Sequence, residues 1–431
     1  MNVPEATAVA APVVPVPAAP AASVRFVGER RAFWRLVARG AVFLALTLGI
    51  YRFWLATDIR RFLWSNTEIE GDSLEYTGTA LELLLGFLIA IALLVPIYVG
   101  LFVLALNLGT AGELIGVLGF PLLAFLGHFA VYRARRYRLT RTVFRGIRCH
   151  QGGSALRYAV CALVWWTIII LTLGLAYPFA QASLERFKMR HTHYGNLAGR
   201  FEASGFRLFL RGLPMWLLVI GPFAGALIFP LATVEWDRVF AAAATASSVE
   251  NFLGQLEGGF PAVYTAIVVA IAGVTISVVM AALLFPVFQA MVLRWWLSGL
   301  RLDGLTITSH LRTAPIYGAY LRFLWYGFLF GLAAGLVGIV VFLASGALID
   351  SLAGSELAEI VWAAGAVAYY VAIMLGFSAI YQATVKLSLW RCGVESIALA
   401  GAAALDHVKA GGAPSSAVGE GLADALNVGG I

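Results

Sequence analysis

Charge is scarce in this sequence: Asp, Glu, Lys and Arg make up 12% of its 431 residues, against about 25% in a soluble domain. With 61% of the residues hydrophobic, that scarcity excludes an ordinary soluble fold and indicates a polytopic membrane protein. Cysteine is nearly missing too. Cys149, Cys161 and Cys392 have no CxxC spacing, which argues against a disulfide framework or a thiolate metal site. No GxxxxGK[ST] phosphate loop, GxSxG elbow or HExxH pair occurs, and no paired carboxylates lie inside an apolar stretch. Without an acid, base or nucleophile constellation, no catalytic residue, enzyme activity or cofactor is expected. His150, His191 and His193 lack a carboxylate or Cys at helix-ligand spacing, and an i, i+2 pair suits a strand, so no metal is expected. The net charge of +7 comes without a basic face carrying base-readout chemistry, which excludes nucleic acid as a partner.

Long apolar runs are abundant. Residues 83–106, 114–131, 213–234, 258–293, 323–349 and 360–385 are each long enough to cross a bilayer at about 1.5 Å per residue. The turns 107–113, 235–257 and 350–359 carry eight acidic residues and one basic residue, Arg238; the other twenty-nine of thirty Lys and Arg lie on the opposite side. By the positive-inside rule that basic side, with both termini, faces the cytoplasm. Trp34, Trp54, Trp236, Trp325 and Trp362 fall near span ends, as an aromatic belt requires.

Two further apolar segments, 40–51 and 158–184, do not fit as crossings. If each crossed, the Arg-rich stretches 133–157 and 186–211 would lie on opposite sides. Only twelve uncharged residues separate Arg39 from Arg52, too few to span. Both segments contain a Thr-Leu-Gly break, Thr47-Leu48-Gly49 and Thr172-Leu173-Gly174, the second followed by Pro178. The expectation is a pair of broken segments, re-entrant or interfacial, that enter and leave on one face.

The chain also matches itself. A shift of 125 residues aligns Thr47-Leu48-Gly49 with Thr172-Leu173-Gly174 and Arg61-Phe62 with Arg186-Phe187. Related motifs recur at 61–78, 136–153, 186–205 and 294–309. After each Arg-aromatic pair comes a candidate hairpin: polar and apolar residues alternate about Gly71-Asp72, and Asp303-Gly304 is a strong hairpin turn signal. Arg25–Gly28 and Arg200-Phe201 read as additional strands. The predicted fold is therefore an all-α polytopic membrane protein with internal repeats. It has about six full transmembrane helices in hairpin pairs, two broken segments, and a small cytoplasmic layer rich in β-hairpins. The predicted divisions are an Ala/Pro-rich tether (1–24), two membrane repeats (25–153 and 154–309), a helical hairpin (310–400) and a cytoplasmic tail (401–431).

Candidate pathway or hinge residues are Gly49, Gly174 and Pro178 in the broken segments, His128 inside a span, and Gln181, Gln289 and Gln382 at matched span ends. The glutamines equally suit hydrogen bonds between helices, and His128 suits a neutral bond to a neighbouring helix. Arg133, Arg135, Arg136, Arg138 and Arg141 could hold anionic headgroups or simply set topology. Gly331, Ala333, Gly335 and Gly338 form a small face for close helix packing, within one subunit or in a homo-oligomer.

Phe26-Val27-Gly28, Thr47-Leu-Gly-Ile-Tyr51, Arg60-Arg61-Phe62, Asn66-Thr67 and Tyr76-Thr-Gly78, with the ending Gly419-Glu-Gly-Leu-Ala-Asp424, resemble the YjgN-type family of bacterial inner-membrane proteins. The second copy departs from this pattern, with Ala176-Tyr177-Pro178 and His191-Thr192 at the matching places. The resemblance implies a bacterial inner-membrane location in contact with membrane lipids, and it brings no catalytic residues. Repetition and interrupted helices point to a transport or permeability role near Gly49 and Gly174. The alternative is a non-catalytic scaffold that binds anionic lipid.

Overall fold

The computed structural model describes residues 22–107, 109–246, 248–351, 356–412 and 415–428. The fold is not all-α: ten short strands close into an antiparallel barrel. They are β1 (Ala22–Phe26), β2 (Thr67–Ile69), β3 (Asp72–Tyr76), β4 (Thr142–Phe144), β5 (Ile147–Gln151), β6 (Thr192–Tyr194), β7 (Leu197–Phe201), β8 (Leu300–Leu302), β9 (Leu305–Ser309) and β10 (Ile397–Ala400). Neighbours in sequence pair in order, and β1 bonds to both β2 and β10, which joins the two ends of the chain. Residues 22–24, read as tether from the sequence, belong to β1; residues 1–21 lie outside the described residues.

Four hairpins share one plan, a three-residue strand, a two-residue turn and a five-residue strand. Glu70-Gly71 and Arg145-Gly146 both have positive φ at the two turn positions, the twist-matching geometry of tight hairpins. The first turn is thus centred one residue before Gly71-Asp72. A Thr opens the first strand of three hairpins, and the hydroxyls of Thr67, Thr142 and Thr192 each donate to the carbonyl four residues back, at 2.8, 2.9 and 2.8 Å. That bond satisfies a terminal helix carbonyl and joins helix to strand.

Between the strands rise five helical hairpins. α1 (Arg30–Leu46) and α2 (Arg52–Ser65) lie between β1 and β2; α3 (Ala80–Asn107) and α4 (Thr110–Thr140) between β3 and β4; α5 (Ala155–Leu171) and α6 (Tyr177–Arg190) between β5 and β6. α7 (Gly205–Thr233) and α10 (Pro261–Gly299) lie between β7 and β8, with α8 (Trp236–Thr245) and α9 (Val249–Gly259) at their far turn. α11 (Ala314–Ser351) and α12 (Glu356–Tyr381), continued by a π-helical turn (Gln382–Lys386) and α13 (Leu387–Glu395), lie between β9 and β10.

Six helices are long and apolar enough to cross a membrane, spanning 80–107, 117–140, 205–233, 261–299, 314–344 and 359–395. The chain is a polytopic membrane protein. Every hairpin returns to the barrel it left, so segments 40–51 and 158–184 turn back: Phe26 pairs with Thr67, and Gln151 with Thr192. At about 1.5 Å per residue, α2 and α6 reach about 21 Å, roughly half of the 29-residue α7.

The two short turns are built alike. Leu48 and Gly49 have φ of 49° and 93°, and Leu173 and Gly174 have 49° and 92°. Gly49 and Gly174 send their amides back five residues, to Leu44 and Ile169. Thr47 and Thr172 each donate a hydroxyl to the carbonyl four residues earlier, at 2.7 Å, and accept from the amide four residues later, at 3.0 and 3.1 Å. One Thr therefore bonds to both helix ends.

Neighbouring hairpins pack in a closed ring: α2 against α3, α4 against α5, α6 against α7, α10 against α11, and α12 against α1. Buried Val24, Phe26, Phe144, Tyr194, Leu305 and Leu399 of the barrel share one core with Leu55, Ile59 and Leu387 of the helices. The C-terminal stretch then closes the assembly. A 3₁₀ turn (Ala402–His407) adds Leu405 to that core. α14 (Val418–Ala425) wedges between α3 and α4, where Gly421 touches Gly86 and Gly419 touches Arg133 with no room for a side chain.

Candidate functional site

Within the ring, three cavities adjoin through shared walls. The first, about 400 Å³, is charged: Arg52, Arg60, Lys386, Glu420 and Asp424 line it with Gln382. The second, about 750 Å³, lies among α2, α6, α10, α12 and α13 and is mainly apolar, with Gln289, Gln382 and Trp296 among its few polar groups. Ile59, Gln382 and Lys386 belong to both. The third, about 320 Å³, sits at the tip of the α5–α6 hairpin between α7 and α10. It shares Tyr177, Phe285 and Phe288 with the chamber.

The charged cavity is held by α14. Glu420 pairs with Arg60 at its wall, both side chains buried, and lies 3.9 Å from Arg138. Arg60 also donates to the Tyr76 hydroxyl at 3.1 Å. Asp424 pairs with Arg52, yet burial pushes its carboxyl above the usual range. Nearby, Tyr137 and Arg141 both donate to Glu82 at 2.6 Å. On the other flank, Glu185 pairs with Lys188, accepts from Trp296 at 3.0 Å and lies 3.8 Å from Arg135. Each of these cations has a carboxylate partner, as buried charges require.

Lys386 differs. Among the described residues no carboxylate or hydrogen-bond acceptor partners its ammonium, although it lines both the charged cavity and the chamber. It ends the π-helical turn that begins at Gln382, an irregularity that places both side chains on the cavity walls.

The sequence-derived candidates divide. Gln289 and Gln382 both line the chamber, Gln289 accepting from the Tyr320 hydroxyl at 2.8 Å, and Gly174 and Pro178 line the outer cavity. Trp216 holds that tip by donating to the Leu173 carbonyl at 2.7 Å. Gly49 stands at a tip with nothing near, Gln181 lines none of the three cavities, and His128 stacks on Trp166, 6.2 Å between centroids. Of the arginines, Arg136 donates to the carbonyls of Gly152 and Gly153, while Arg135, Arg138 and Arg141 face carboxylates. Arg133 backs α14. These five are half-buried and four point to internal partners.

Sequence reasoning missed Arg52, Arg60, Lys386, Glu420 and Asp424. Lys386 did carry a signal, being the only basic residue between Arg322 and Arg391.

Comparison with curated proteins and with solved structures finds no match. A family model described as "Bacterial protein of unknown function (DUF898)" matches residues 21–425, from β1 through the last residue of α14. That is the YjgN-type family whose motifs the sequence carries, and the chain belongs to it.

Proposed function

We propose that the chain is a non-catalytic transport protein of the bacterial cytoplasmic membrane, with the barrel and both termini on the cytoplasmic side. Its pathway is the run of three joined cavities inside the ring, and its C-terminal stretch is the closure. The adjoining cavities carry this reading, because they share lining residues in succession from the α5–α6 tip to the charged pocket beside α14. The pathway thus keeps Gly174 but moves away from Gly49, which lines none of the three cavities. The sidedness rests on the basic residues, which crowd the barrel half while Arg238 alone lies at the far turns.

Proteoliposomes loaded with a fluorescent anion test this. Glu420→Gln combined with Asp424→Asn loosens α14, and release faster than from the unaltered chain and from empty vesicles is expected. Equal retention in all three, with the protein folded, contradicts the pathway. A second reading, a scaffold that binds anionic lipid without moving it, is favoured by the apolar core that fills the barrel. Bound lipid with no flux would select it.

A further inference from the structure

We propose that the three joined cavities bind a single-chain amphiphile with an anionic head, the head against Lys386 and the chain in the apolar chamber. This deepens the transport reading and rests on it for the ligand's movement, though not for its binding.

The charge balance sets the sign of the head. Arg52 and Arg60 are already matched by Asp424 and Glu420, whereas Lys386 has no carboxylate among the described residues. The half-buried Lys386 ammonium faces the cavities without a counter-charge, and a bound anion supplies one. A cationic head would meet three lining cations against two lining carboxylates.

The chamber sets the chain. Leu293, Val292, Leu389 and Phe288 present it with apolar surface, and at about 750 Å³ it lies within the roughly 300–1,000 Å³ range of small-molecule sites. A fully hydrated ion gains nothing from such walls. The junction at Tyr177, Phe285 and Phe288 leads on to the outer cavity, whose lining is apolar apart from Tyr177 and Trp216. The α5–α6 hairpin stops short beside the long helices α7 and α10, so a lateral mouth for this cavity between them belongs to the proposal. A lipid-dissolved chain can therefore reach the chamber sideways while its head travels to the charged end.

The test uses the full chain in phosphatidylcholine nanodiscs with palmitate carrying a photoactivatable diazirine on its chain. Labelling is expected on α10 and α13, with unlabelled palmitate and lysophosphatidate competing and palmityl alcohol and lysophosphatidylcholine failing to compete. The first two competitors distinguish a free carboxylate from a phosphate headgroup as the better ligand. Lys386→Met should lower labelling about tenfold, the effect of losing a charge-assisted bond, and Lys386→Arg should keep it. Undiminished labelling of a folded Lys386→Met protein, or competition indifferent to head charge, overturns the proposal. Should Lys386→Met fail to fold, Val292→Trp decides: it narrows the chamber and must lower labelling, and undiminished labelling of that folded variant overturns the proposal. Persistent, head-selective labelling without vesicle flux would sink the transport reading alone.

Discussion

Glu420 shows how single residues hold this protein together. Its carboxylate lies buried against Arg60, on a helix whose Leu422 and Ala423 pack against Ala90 and Ala130. Removing one member of a buried pair leaves the other uncompensated, a loss of about 3–5 kcal/mol. Glu420→Ala should therefore lower the melting temperature sharply and expose the C-terminal stretch to protease, whereas Glu395→Ala, which breaks an exposed pair with Arg391, should change neither. Gly421 acts by size. A side chain there meets the backbone of Gly86, so Gly421→Val should displace α14 at a cost of about 1–3 kcal/mol, read as the same protease sensitivity with Glu420 intact. Both residues stand in the ending that resembles the family, but their role was not legible: Val-Gly-Glu-Gly-Leu-Ala-Asp-Ala has two glycines in a short run, and its helix packs between α3 and α4.

At the scale of elements, the two Thr-Leu-Gly turns were readable because their chemistry is local. Two left-handed residues and a doubly bonded Thr need only neighbours in sequence. Thr172→Val keeps the shape and removes both bonds, each worth about 0.5–1.5 kcal/mol, so denaturant unfolding should show a loss of that order, and Thr172→Ser should restore most of it. The hairpins were readable for the same reason, through Asp303-Gly304 and the alternation after Thr67. What covers them was not. Gly412 lies on the ring of His150, which stacks on His193 at 4.9 Å across β5 and β6. Burial and His193 lower the pKa of His150 below its ordinary 6.5, so the released ring binds a proton more tightly than the covered one. Docking of the tail is then fully stable above about pH 6.5 and weakens as the pH falls through the lowered value. Hydrogen exchange of residues 401–412 should accelerate on acidification, and His150→Asn should flatten that dependence. An exchange rate independent of pH after intrinsic correction would contradict the link.

For the whole molecule, six spans were legible because charge is excluded from them and gathers at their ends, as Arg133 to Arg141 and Arg207 to Arg211 do. The barrel was legible only in pieces. Its closing pair, Ser23 with Ala398, joins opposite ends of the chain, and no periodicity within either strand announces a partner so distant. The cavities emerge at the same scale, since Ile59, Gln289 and Lys386 meet only when the ring closes. Gln181, similar in sequence context to Gln289, lines none of the three cavities, although Tyr177 one turn earlier on α6 lines two of them as Phe285 does on α10.

One barrel holding every hairpin end fixes all of them to one side of the membrane, and side-specific cysteine labelling in intact cells tests that most directly. In a background without Cys149, Cys161 and Cys392, single cysteines replace Ser65 at the end of α2, Asn196 in the β6–β7 turn and Ser248 beside α9. Labelling of Ser248→Cys alone by an impermeant reagent is the predicted result. Labelling of Ser65→Cys or Asn196→Cys from outside would contradict the one-sided barrel, and with it the ring that frames the cavities.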